Sequence, residues 1–202
     1  MELGGLIVGL GNPGEQYRNT RHNLGFMVIE ALLAHIREFA QTAGLSGRKD
    51  AWNLWRCPLL PGRRQEWLLA QPLTYMNNSG DAVQRVAAYY RIDIDDILVL
   101  HDELDLPLGR MKMKKGGGNA GHNGIRSIEQ MLGSPDFYRL RLGVGKVPGL
   151  PGVSRVLGSF HPDEKQNLEK IIEAATHAVR LFADQGPVKA QQFCNGFRIE
   201  TS

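Results

Sequence analysis

Three histidines of this chain, His22, His101 and His122, stand beside asparagine or aspartate in loop or strand-end contexts. Open α/β sheets build their sites at such positions. Asp102 follows the clearest apolar run, inside His101-Asp102-Glu103-Leu104-Asp105. Asn12, Asn77 and Asn123 add neutral amides that both donate and accept. No serine lies in a Gly-x-Ser-x-Gly elbow, and neither Cys57 nor Cys194 has an activating neighbour in sequence. No second histidine follows His101 at helical or hairpin metal spacing, so no metal and no cofactor are expected. The chemistry left to these residues is a histidine-activated water. An imidazole with a reference pKa of about 6.5 can take a proton from water near neutrality, and a carboxylate can fix its tautomer. The plainer alternative is that loop histidines are surface residues and the acids after the strand keep a loop wet. His35 and His177 lie in helical stretches and His161 precedes a proline, so these three read as structural or exposed.

Two glycine-rich runs could cradle a ligand. Gly9-Leu10-Gly11-Asn12-Pro13-Gly14 is a literal GxGxxG after an apolar strand. A dinucleotide fold would open its helix inside that motif and set an acid at a strand end about 20 residues on. Here Pro13 and the polar stretch Glu15–Asn23 intervene, and Glu30 and Glu38 fall within a helical pattern. A nicotinamide oxidoreductase is therefore disfavoured. Gly116-Gly117-Gly118-Asn119-Ala120-Gly121-His122-Asn123-Gly124 lacks the Lys-Ser/Thr of a P-loop. It can still bring backbone close to a ligand, with a helix start near Asn123 offering N–H groups to phosphate. A flexible hairpin is the alternative.

The chain has 202 residues, of which 42% are hydrophobic and 22% charged, enough for one packed domain spanning 1–202. No apolar run approaches the roughly 20 residues of a membrane span, and Met1–Gly5 lacks a signal-peptide pattern. Two cysteines without ligand spacing point to a reducing cytoplasm. The net charge of +3 is uneven. Between residues 110 and 146, Arg110, Lys112, Lys114, Lys115, Arg126, Arg139, Arg141 and Lys146 face only Glu129 and Asp136, a local excess of six, so the rest of the chain carries −3. A confined basic patch suggests a docked polyanion; a solvated lysine-rich face is the alternative.

Elements that could position these groups follow from hydrophobic period. Leu6-Ile7-Val8, Trp67–Ala70 (stopped by Pro72), Ile97–Leu100 and Leu140–Val144 read as strands. Met111 and Met113 alternate with Lys112 and Lys114, so that strand has one buried and one basic face. Helices are predicted over 24–40, from a Ser79 cap to Tyr90, around Ile125, Ile128 and Leu132, and after Pro162-Asp163-Glu164 through Leu168, Ile171, Ile172, Ala175, Val179 and Phe182. Alternating elements predict an α/β fold with a mixed, largely parallel central sheet flanked by helices. Thr42–Asp50 and Val147–Ser154 read as the loosest segments.

Six segments in order resemble the bacterial-type peptidyl-tRNA hydrolase family: Ile7–Gly14, Tyr17–Gly25, Thr74–Gly80, His101–Pro107, Gly116–Gly124 and Phe137–Gly145. The similarity runs from about residue 5 to 198. It implies hydrolysis of the ester joining a blocked peptide to the tRNA 3′ end. It implies His22 as general base, Asp102 as its partner and Asn12 as the contact that tells blocked from free amino acids. Tyr17, Tyr75, Asn77 and Asn123 would line the site for the 3′ end and peptide, and Lys114 and Arg141 would clamp the terminal phosphate of the acceptor stem. A cytoplasmic monomer is expected. Tyr75 stands where phenylalanine is common, Asn119-Ala120 varies the glycine loop and is expected to alter its flexibility, and Gly47–Arg64 matches poorly. A non-catalytic RNA-binding relative on the same fold is the alternative.

Overall fold

Glycine meets glycine where the first helix crosses the first strand. A Cβ on Gly9 would lie 2.4 Å from the Gly25 carbonyl oxygen, so only bare backbone allows this approach. The computed structural model describes residues 3–45, 51–145 and 157–199. Lys146 and the Val147–Ser154 segment lie outside them, as do residues 46–50 of Thr42–Asp50.

The sheet has seven strands in the order β2-β3-β4-β1-β5-β7-β6. They are β1 Leu3–Gly9, β2 Ala43–Gly44, β3 Trp52–Pro58, β4 Glu66–Pro72, β5 Ile97–Glu103, β6 Met111–Lys115 and β7 Tyr138–Gly143. The central strands β4, β1, β5 and β7 run parallel. Antiparallel strands close both edges. The sheet is thus mixed with a parallel centre, as the alternation of elements predicts. Helices α1 Leu24–Arg37 and α4 Lys165–Gly196 cover one face, against Ile7, Leu69, Leu98 and Leu140. Helices α2 Ser79–Tyr90 and α3 Asn123–Leu132 cover the other, against Val8, Leu68, Val99 and Ile97. Alternate residues of each buried strand therefore feed two separate cores. Among the described residues, no helix is long and apolar enough to cross a membrane.

Three details differ from the sequence expectation. Ser79 is not a cap: Asn78 precedes the helix without a side-chain cap bond, and the buried Ser79 hydroxyl donates to the Met76 carbonyl at 3.0 Å. A serine already inside the first turn meets a carbonyl three residues back before any free N–H. The helix after Pro162 runs on to Gly196, with a break at Gly186 (φ 82°) before Pro187. Strand β3 was not among the expected strands, because its burial follows no period of two. At the α4 start, His161 caps the turn Pro162–Glu164, and its own N–H is taken by Glu164.

Candidate active site

Strand β5 carries His101, Asp102 and Glu103 at its C-terminal end, all buried. Strand β1 ends beside it, and the chain continues through Leu10 and Gly11 to Asn12. Two 3-10 turns, Glu15–Tyr17 and Arg21–Asn23, then lead into α1, which fixes His22 over the ends of both strands. No helix opens inside the glycine motif, which agrees with setting the dinucleotide reading aside.

His22 Nδ1 lies 2.8 Å from Asp102 Oδ1. The same oxygen lies 3.0 Å from His122 Nε2. His122 is the N-cap of α3, and its Nδ1 accepts the Ile125 N–H at 3.3 Å. That bond fixes the tautomer by elimination: Nδ1 holds the lone pair, so Nε2 carries the proton and donates to Asp102. Asp102 in turn accepts from His22 Nδ1–H, which leaves the lone pair of neutral His22 on Nε2. Burial alone would raise the Asp102 carboxyl, but the His22 and His122 rings hold it well below the usual carboxylate range. His101 packs edge-on to His122, with ring centres 4.8 Å apart. Its Nδ1–H donates to the Asp102 carbonyl, and burial pushes its pKa well down, so it is neutral.

Asn12 is held from three directions. Its N–H donates to Asn23 Oδ1 at 2.9 Å, and Asn23 Nδ2 donates back to its carbonyl at 3.0 Å. The Met76 N–H donates to Asn12 Oδ1 at 2.8 Å. The Met76 N–H thereby orients the amide, with Oδ1 toward Met76 and Nδ2 on the opposite side of the group. This contact also brings the turn Met76–Asn78, with exposed Tyr75 and Asn77 at its start, against the end of β1. Asn123 follows His122, and its Oδ1 accepts from Arg126. Tyr17 closes the first 3-10 turn, and its carbonyl accepts the Thr20 hydroxyl at 2.8 Å.

The basic segment is thinner in space than in sequence. Arg139 is 1% exposed and pairs with Glu129 at 2.8 Å. Arg141 Nε and Nη2 both reach Glu103 Oε2, at 2.9 and 2.8 Å. Lys115 pairs with Asp95 at 2.8 Å. Glu103 and Asp95 lie outside the window that the chain count covers, which is why the excess looked larger. Lys112 and Lys114 stand opposite Arg141 and Arg139 across the β6–β7 pair. Lys114 has a lowered pKa, from burial first and then from Arg139 and Arg141. The glycine loop is tied down: Asn119 bonds Glu129 and the Gly121 N–H, and Arg139 donates to the Gly118 carbonyl.

His22, Asp102 and His122 present ligand atoms within 4.8 Å of one another. Sequence spacing gave no reason to join His122 to this group, because 20 residues and a glycine loop separate it from Asp102. A cation there would have to displace both ring protons that Asp102 now accepts. Cys57 and Cys194 are free and buried, and burial pushes both thiols up to about 12, so neither is a nucleophile near neutrality. Sequence reasoning missed His122 as a second donor to Asp102, and it missed Asn23 altogether. The amide next to His22 was the available signal for Asn23.

The sequence model of the Peptidyl-tRNA hydrolase family matches residues 6–202. A curated peptidyl-tRNA hydrolase of Oleidesulfovibrio alaskensis is 54% identical over 99% of this chain and 100% of its own length. One from Nitratidesulfovibrio vulgaris is 52% identical over 98% and 100%. The crystal structure of peptidyl-tRNA hydrolase from Acinetobacter baumannii superposes with a TM-score of 0.86 at 34% identity, covering 98% of both chains.

Proposed function

Since the chain belongs to the peptidyl-tRNA hydrolase family and its reaction is hydrolysis of peptidyl-tRNA, we propose that His22 is the base that activates water in that reaction. The observation that carries this reading is the Asp102 oxygen that accepts from both His22 and His122. It commits His22 Nδ1 to Asp102 and leaves Nε2 as the basic atom. Water gives a proton to Nε2 as its oxygen attacks the ester carbonyl. Asp102 stabilises the imidazolium that results, and the imidazolium then protonates the departing ribose oxygen. The neighbouring ribose hydroxyl makes that alkoxide a tolerable leaving group, so no acyl-enzyme is needed. The Nδ2 donors of Asn12 and Asn123 suit carbonyl oxygens of the peptide and of the tetrahedral intermediate.

Asn12 also explains how aminoacyl-tRNA, which carries the same ester, is spared. Peptidyl-tRNA has an amide carbonyl one residue from the ester; aminoacyl-tRNA has an amine there. With its Oδ1 turned to the Met76 N–H, Asn12 offers Nδ2 to the substrate, and only the peptide supplies a carbonyl there. Tyr17, Tyr75 and Asn77 flank the 3′ end, and Lys114 with Arg141 meets a phosphate of the acceptor stem. The enzyme works as a cytoplasmic monomer without a metal; the two buried free thiols fit a reducing compartment. The relatives lend no support to a non-catalytic RNA-binding role.

The test is kcat/KM on N-acetyl-aminoacyl-tRNA and on unblocked aminoacyl-tRNA, for the purified chain and for Asn12→Ala. The blocked substrate is turned over and the free one spared. In Asn12→Ala the ratio collapses by loss on the blocked substrate, by up to about 10⁴. Equal loss on both substrates would make Asn12 a scaffold residue only, and no turnover by the unmodified chain would end the assignment.

A further inference from the structure

Arg21 precedes the proposed base and is itself buried. Its side chain is 7% exposed, and Nη2 lies 2.6 Å from Glu164 Oε2. Nη1 donates to the Val144 carbonyl at 2.9 Å, and the guanidinium sits 4.8 Å over the Phe160 ring. The Arg21 N–H donates to Gly158, and Thr20 bridges Ser159. One residue thus gathers the end of β7 and the approach to α4 onto the turn that carries His22. Glu164 is fixed as well, because the same Oε2 accepts the His161 N–H at 2.7 Å. On the other side of His22, Asn23 is locked to Asn12.

We propose that Arg21 and Glu164 are a positioning pair that aims the His22 ring at Asp102, a role that rests on the reading of His22 as the base. With Arg21 buried and Glu164 28% exposed, the pair is a poor device for stability alone. Desolvation of the Arg21 guanidinium and solvent screening at Glu164 offset most of their attraction. A fork held to a carboxylate, a carbonyl and a ring face at once does fix the turn that bears it. A base shifted by about 1 Å loses roughly 10² in rate. Neither residue touches the reacting atoms in this account; both act through the His22 turn.

The experiment compares Arg21→Lys, Glu164→Gln and the double variant Arg21→Met/Glu164→Met. Three quantities are read: kcat and KM on N-acetyl-aminoacyl-tRNA, Tm, and the NMR signal of the His22 Nδ1 proton shared with Asp102. Arg21→Lys and Glu164→Gln lower kcat by about 10- to 100-fold and leave KM within about threefold. The His22 Nδ1 proton signal shifts or broadens in both. The double variant regains Tm, because the buried Arg21 charge is gone together with its partner, yet keeps the low kcat and the altered signal. Recovery of kcat together with Tm in the double variant would overturn the proposal, since the pair would then serve stability only. An unchanged Nδ1 signal in all three variants would overturn it too. A shifted signal with normal kcat would leave the positioning in place and refute His22 as the base.

Discussion

Asp102→Asn keeps the shape of the side chain and removes its charge. In the native site one oxygen accepts two ring N–H groups, at 2.8 Å from His22 and 3.0 Å from His122. An asparagine oxygen can still accept both, so the ground state changes little. The imidazolium that forms in the transition state loses its counter-charge. With the delocalised charges about 4 Å apart and an effective dielectric of about 20, the lost attraction is roughly 4 kcal/mol, or about 10³ in rate. The substitution should therefore lower kcat about 10³-fold and leave KM within about threefold, measured as release of labelled N-acetyl-amino acid from tRNA. The same carboxyl is held well below its ordinary value, so its contribution to stability is complete above about pH 3.9 and is lost as pH falls below that. Asp102→Asn should flatten the acid side of the unfolding curve in that range. A fall in kcat of less than about tenfold, or a loss confined to KM, would refute the reasoning.

Lys114→Gln should weaken full-length peptidyl-tRNA, spare a short peptidyl-nucleotide ester, and reduce the log–log salt slope by about 0.7–0.9; an unchanged slope would remove Lys114 from the phosphate contact. Arg141→Gln should also lower Tm, measured by thermal melt, because it leaves the buried Glu103 carboxylate without its cation; an unchanged Tm would contradict that pairing. Ala120 has φ 49°, a left-handed conformation that costs an alanine about 1–2 kcal/mol. Ala120→Gly should gain about 0.5–1 kcal/mol after the added chain entropy, a Tm rise of roughly 1–4 °C, and a fall in Tm would contradict the strain.

The parallel centre of the sheet was legible because Ile7, Leu69 and Leu98 belong to short runs apolar on both faces, while Leu140 and Leu142 alternate with Arg139 and Arg141. The edge was not, because Trp52–Pro58 buries residues without a period of two. His22, Asp102 and Asn12 stood out as polar residues at strand ends, and the fold does bring the first two into one hydrogen bond. The second donor to Asp102 was hidden, since His122 arrives through a loop and its tautomer depends on a helix cap. Charge counting along the chain misjudged the basic face for a related reason. Glu103 and Asp95 neutralise Arg141 and Lys115 from strands and turns distant in sequence. Arg21 was legible only as part of a motif, because its partners Val144 and Glu164 lie more than 120 positions away.

The measurement that tests the account most directly is single-turnover hydrolysis of N-acetyl-aminoacyl-tRNA by His22→Ala, with tRNA affinity measured on the same preparation. The account places the basic atom on His22 Nε2 and the tRNA contacts elsewhere. It predicts a rate lower by about 10²–10⁴ with affinity within about twofold of the unsubstituted chain. A rate within about threefold of the unsubstituted chain, at equal affinity, would contradict it.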